Sequence, residues 1–93
     1  MAELRDDTAR HRFELDVEGS TAFVEYRDEP GRLVLVHTEV PAELGGKGVG
    51  SRLAAAVLDE ARRRGRPVKA ECEFIASYIE RHPAYRDLLE QGR

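Results

Sequence analysis

Seven consecutive residues, Gly45-Gly46-Lys47-Gly48-Val49-Gly50-Ser51, carry the strongest chemical signal in this chain of 93 residues. Glycine has no Cβ, so the main chain there can take positive φ and approach a bulky anion closely. The residues that follow recur at helical spacing, and a helix start offers unpaired N–H groups at the positive end of its dipole. The chemistry is therefore anion binding, with Lys47 adding a point charge. From the glycines alone, a tight connection without a ligand is an equal reading. Two nucleotide motifs are excluded. Lys47 is followed by Gly48 and not by Ser or Thr, which breaks the order of an NTPase phosphate loop. Gly46, Gly48 and Ser51 fit the dinucleotide fingerprint poorly, and no acidic ribose ligand ends a following strand. The other reactive side chains are sparse. Cys72 is the single cysteine, so neither an internal disulfide nor a thiolate zinc cluster can form, and His11, His37 and His82 lack metal-site spacing.

The glycine segment must be held by the elements on either side. Met1 to Arg10 is polar and reads as a loose lead-in. His11 to Val17 alternates, with Phe13, Leu15 and Val17 on one side and Arg12, Glu14 and Asp16 on the other, as in a half-buried strand. Glu18-Gly19-Ser20 is a turn, and Thr21 to Arg27 alternates again through Ala22, Val24 and Tyr26, giving a hairpin. Asp28-Glu29-Pro30-Gly31 is a second turn. Arg32 to Val40, with its apolar run Leu33-Val34-Leu35-Val36, predicts a central strand covered on both faces.

Beyond Pro41 the period changes. Val49, Leu53, Ala56, Val57 and Ala61 predict an amphipathic helix to about Arg64, stopped by Gly65 and Pro67. Val68 to Cys72 reads as a short strand, with Val68, Ala70 and Cys72 on one face. The length of this crossover makes it a βαβ unit, so its two strands run parallel. Phe74, Ile75, Tyr78 and Ile79 mark a second helix ending near Arg81, His82-Pro83 breaks it, and Ala84 to Glu90 forms a final helical turn or two. The fold class is α/β (α+β): an antiparallel meander extended by one parallel strand and flanked by helices.

Composition bounds the partners. The length is that of a single domain spanning residues 1–93, with 41% hydrophobic residues for one modest core. A net charge of −3 does not indicate a nucleic-acid surface. No apolar run spans a bilayer, and the charged start lacks a signal-peptide core, so a cytoplasmic protein is expected. The cluster Arg62-Arg63-Arg64 with Arg66 falls at a helix C-terminus, where the dipole favours cations, and reads as a solvated face. Thirteen arginines against two lysines suggest a GC-rich bacterial genome.

The strand Leu33–Val40 with Pro41-Ala42-Glu43-Leu44-Gly45-Gly46-Lys47-Gly48-Val49-Gly50-Ser51-Arg52-Leu53 resembles the acetyl-CoA-binding motif of the GNAT acetyltransferase superfamily. More narrowly, His37-Thr38-Glu39-Val40-Pro41, Gly46-Lys47-Gly48, Cys72, Tyr78 and His82-Pro83-Ala84-Tyr85 resemble a subfamily of very short GNAT-like proteins. This resemblance spans roughly His11 to Leu89. It implies a twisted mixed sheet whose parallel strands splay at their C-terminal ends. It also implies acetyl-CoA (coenzyme A) as cofactor, its pantetheine arm along the main chain at Thr38, Glu39 and Val40 and its pyrophosphate on the amides of Gly45 to Ser51. The superfamily usually carries Gln or Arg three residues before the glycine matched by Gly48; Gly45 stands there instead, which bears on affinity. The helices that ordinarily close over the acceptor are also missing, an openness suited to a protein or polyamine acceptor or to a partner, for which a homodimer is one candidate.

Acetyl transfer to an amine needs a deprotonated nucleophile, a polarised carbonyl and a proton for the departing thiolate. Cys72, at a strand end, is a candidate covalent nucleophile forming acetyl-cysteine, although flanking Glu71 and Glu73 oppose a thiolate. A small core residue is the plain alternative. His37 and Glu39 are candidate bases on the other parallel strand. Tyr78 is a candidate proton donor to the thiolate, with core packing as its alternative. The expected activity is N-acetyl transfer from acetyl-CoA to an unidentified amine. A CoA-binding or partner-binding module without catalysis is the competing expectation.

Overall fold

The computed structural model describes residues 4–89. Five strands form one sheet in the order β1-β2-β3-β4-β5, comprising β1 (Leu4–Asp7), β2 (Arg12–Val17), β3 (Ser20–Glu29), β4 (Arg32–Glu39) and β5 (Val68–Ala70). β1 to β4 are antiparallel, and β5 joins β4 in parallel after the crossover helix α1 (Val49–Arg63). Helix α2 (Glu73–Arg81) and a 3-10 segment over Pro83–Leu88 follow. The meander and the βαβ unit thus have the expected order. Among the described residues, no helix is long and apolar enough to cross a membrane.

Local chemistry accounts for the turns. Val17 pairs with Ser20, leaving Glu18 (φ 52°) and Gly19 (φ 83°) as a two-residue hairpin loop with both φ positive, the twist that suits right-handed strands. α1 ends in a Schellman motif: Arg66 N–H donates to Ala61 O and Gly65 N–H to Arg62 O, with Gly65 at φ 68°. The arginines at this end are all engaged, Arg62 with Asp87, Arg63 and Arg64 with Glu60, and Arg66 with Asp28.

Several boundaries differ from the sequence reading. The lead-in Met1–Arg10 contains a strand, β1, while Met1–Glu3 lie outside the described residues. β1 has no clear alternation because side chains fasten it as well as its ladder. Arg5 bonds Glu14 and Asp16, and Asp6 accepts from the Tyr26 hydroxyl (2.6 Å) and from Arg64 (3.0 Å). His11 takes φ 54° and closes the preceding loop, so β2 begins at Arg12. β5 stops at Ala70, two residues short of Cys72: the Leu35 carbonyl accepts from both Glu71 N–H (3.0 Å) and Cys72 N–H (2.9 Å), which ends the ladder. The final helical segment expected to Glu90 closes at Leu88, and Glu90 lies outside the described residues.

One face of the sheet meets both helices. Phe13, Leu15, Ala22, Val24, Tyr26, Leu33 and Leu35 join Leu53, Val57, Leu58, Ile75 and Ile79 in a single buried cluster. The other face carries paired charges. Glu14, expected to face solvent, is only 4% exposed because Arg12 (2.6 Å) and Arg5 (2.6 Å) fold over it. The Arg12 hydrogen bond above all holds its carboxyl below the usual range, against the opposing pull of burial.

Candidate functional site

A β-bulge decides which side chains of β4 face inward. Tyr26 pairs with Leu35 but Glu25 pairs with His37, so Val36 is an extra residue in β4. Before the bulge, Leu33 and Leu35 face the core; after it, parity is reversed. Thr38, opposite the buried Val24, points inward, while His37 and Glu39, opposite Glu25 and Phe23, point to the other face. A regular strand would have turned His37 and Glu39 into the core.

The parallel pairing of β4 with β5 runs from Leu33↔Val68 to Leu35↔Ala70 and no further. Beyond it the chain of β5 turns into α2, with Cys72 as the helix N-cap and its carbonyl accepting from Ala76 N–H (3.0 Å). The strands therefore part at their carboxyl ends. On the inner side of this divergence Thr38 Oγ1 lies 3.1 Å from Cys72 Sγ, and Cys72 is 7% exposed. Glu71 does not join them; its carboxylate is paired with Arg27 and Lys69.

After β4 the chain passes a 3-10 turn at Ala42–Leu44, with Leu44 buried, and enters the glycine segment. Gly46 (φ 78°) and Gly48 (φ 70°) occupy the left-handed region; Gly45 (φ −60°) does not. Gly48 is the N-cap of α1, and no side chain caps the helix. The first turn also contains no acidic residue. Among the described residues, the first α1 amide bonded to a main-chain carbonyl is that of Arg52, on Gly48 (3.1 Å). The amides of Val49, Gly50 and Ser51 are thus left for something outside the helix.

The tip of the β2–β3 hairpin steadies this segment. Ser20 Oγ donates to Glu43 (2.6 Å), which lowers the Glu43 carboxyl below its ordinary value, and Lys47 Nζ sits 3.2 Å from Glu18. Lys47 is thereby turned to the hairpin. Val40, Leu44, Gly45, Gly46, Gly48, Val49, Gly50, Ser51 and Phe74 line an open concavity of about 310 Å³. All of the expected cofactor positions from Val40 to Ser51 border it except Lys47.

The expected catalytic residues fall into three groups. Cys72 meets Thr38 on the inner face. His37 Nε2 lies 3.0 Å from Glu39 Oε1 on the outer face, both side chains about half exposed. Tyr78 is buried with its ring stacked on His82 (centroids 3.9 Å apart), while His82 Nδ1 lies 2.8 Å from the Tyr78 carbonyl. Nearby, burial first and then a bond to Asp59 push the Tyr85 hydroxyl up to about 12. Among the described residues no cluster of His, Cys, Asp and Glu is placed to hold a metal.

One wall residue was not foreseen. Phe74 borders the concavity, yet in the sequence it reads as part of the apolar stripe of α2. The stripe proper is Ile75, Tyr78 and Ile79, and Phe74 stands one step off it. That offset was the available signal.

Residues 12–88 match the family model described as GCN5-related N-acetyl-transferase. The chain belongs to the GCN5-related N-acetyltransferase family. The fold agrees. A solution NMR structure of a GCN5-like protein from Staphylococcus aureus superposes with a TM-score of 0.72 at 30% identity, covering 98% of this chain and 90% of that one. In this GCN5-related chain the described residues form five strands, two helices and two 3-10 segments.

Proposed function

We propose that the chain is an N-acetyltransferase that moves an acetyl group from acetyl-CoA to an amine. The observation that carries this reading is a single concavity joining the uncapped amides of Val49, Gly50 and Ser51 to Val40, at the end of a strand that has parted from its parallel neighbour. Such a place, beyond the carboxyl ends of parallel strands, is where α/β sheets take their ligands. The residues fit the cofactor. Uncapped amides and an acid-free first turn suit a pyrophosphate, and the left-handed Gly46 and Gly48 let the main chain come close. The end of β4 at Thr38 to Val40 would hold the arm.

When bound, acetyl-CoA supplies the acetyl group as an activated thioester. His37 donates Nε2–H to Glu39 Oε1, which orients the ring and balances its charge, and its other nitrogen, Nδ1, accepts the proton that the amine gives up. This pair stands on the sheet face that no helix of the buried cluster covers, open to a protein or small-molecule amine. Thr38 and Cys72 form the inner polar wall of the gap. A covalent acetyl-Cys72 route has less support, because the partner of the buried thiol is a hydroxyl and not a base. Tyr78 is held in place by His82 as the candidate proton donor to the departing thiol.

The dispersal of these groups over two faces favours a second reading, a CoA-binding module with little catalysis. Single-turnover assay with labelled acetyl-CoA and a panel of amines distinguishes the two. Transfer of label to an amine is expected. CoA binding without transfer to any amine or to the protein would leave the binding module, and absence of CoA binding would defeat both.

A further inference from the structure

We propose that Phe74 contacts the cofactor, its ring forming the apolar wall along which the pantetheine arm runs between the α1 amides and the end of β4. This inference rests on reading the glycine segment as a coenzyme A cradle. Phe74 is 38% exposed, stands outside the buried cluster, and among the described residues is the exposed large hydrophobic side chain. The ring is packed on one side against Gly50 and lines the concavity with the other, as the aromatic walls of small-molecule sites do. Its seat is specific. A Cβ built on Gly50 would fall 2.8 Å from the ring's Cζ, so only glycine at position 50 lets the ring lie against the first turn of α1. Gly50 has φ outside the left-handed region, so the backbone does not demand glycine there; the ring does. The sequence reading had assigned Gly50 to the anion.

The lining divides into two chemistries. The main chain of Gly48 to Ser51 presents polar groups, whereas Val40, Leu44, Val49 and Phe74 present carbon. Phe74 also lies two residues after Cys72, in the first turn of α2. The ring, seated on Gly50 at the start of α1 and carried by the turn that follows Cys72, therefore stands between the amides proposed for the pyrophosphate and the strand divergence, where the thiol-bearing end of the ligand must go.

Titration calorimetry on the full chain tests this with two probes: coenzyme A, and the adenosine bisphosphate half of that molecule, which lacks the arm. Phe74→Ala is expected to bind coenzyme A about ten-fold more weakly and to bind the nucleotide half as the wild type does. Phe74→Leu should recover most of the loss. Gly50→Ala, which displaces the ring without removing it, should weaken coenzyme A as well. Equal losses for both probes would put the ring against the adenine and overturn the assignment, as would unchanged binding of coenzyme A by Phe74→Ala. Failure of the wild-type chain to bind coenzyme A would instead defeat the cradle itself. Phe74 lies outside the core, and a melting curve for each variant separates lost binding from lost fold.

Discussion

Thr38 Oγ1 and Cys72 Sγ stand 3.1 Å apart, although 34 positions separate them in the chain and the pairing of β4 with β5 has ended before either residue is reached. The contact depends on the bulge at Val36, which turns Thr38 inward, and on the Leu35 carbonyl, which gathers the amides of both Glu71 and Cys72. Replacing Thr38 by Val should remove this hydrogen bond and cost about 1 kcal/mol, seen as a lower Tm. Cys72→Ala should keep most of the acetyl transfer. Intact mass of the quenched wild type should show no retained acetyl group; a retained group lost in Cys72→Ala would establish the covalent route instead.

His37 and Glu39 should act together. His37→Ala is expected to lower kcat about a hundred-fold with little change in the KM for acetyl-CoA, because the ring lies on the face opposite the Thr38–Cys72 contact. Glu39→Gln should have a smaller effect in the same direction. An equal rise in KM with kcat unchanged would mean that the pair only helps to bind.

The glycines of the loop are not equivalent. Gly48 sits at φ 70°, where a β-branched residue is strained by roughly 1–2 kcal/mol, and it leads directly into the free amides. Gly48→Val should abolish the thermal shift produced by CoA. Gly45 has φ −60°, and its added Cβ would meet only the Ala42 carbonyl, at 3.1 Å. Gly45→Ala should therefore retain most of the shift. Differential scanning fluorimetry with and without CoA compares them.

Stability should carry an acid signature from Glu60. Hydrogen bonds first from Arg63 and then from Arg64 lower its carboxyl from 4.5 to about 2. Because the folded value is depressed, the stabilisation is complete above about pH 4.5 and is lost as the pH falls toward about 2. Glu60→Gln should lower stability at neutral pH by on the order of 1 kcal/mol, given the solvent around the pair. Its unfolding curve should converge with that of the wild type across that acid window.

Much of this was legible from local patterns. The alternation of Phe13 and Leu15, and of Ala22, Val24 and Tyr26, marked the meander, and the crossover length implied that β5 would be parallel. Gly65 and Pro67 marked the end of α1. These features depend on neighbours close in the chain, so the order of residues determines them. The glycine run and the helix period after it likewise specified an uncapped helix start beside a strand end.

The rest required the third dimension. β1 looked like polar lead-in because Arg5 and Asp6 find their partners on β2, on β3 and at the end of α1. Glu14 is buried by arginines from two strands, which no alternation rule encodes. A bulge inserts one residue without altering the hydrophobicity of the run, so the sequence could not say on which face Thr38, His37 and Glu39 would lie. The same holds for Phe74 and Gly50, 24 positions apart, whose meaning appears only when the first turns of the two helices meet. The sequence by itself determined the meander from β2 to β4, the crossover helix and a glycine-rich loop at a helix start, because these follow from backbone preference and period. Tertiary structure alone decided which side chains line the gap, because that depends on sheet register and on contacts between residues remote in the chain.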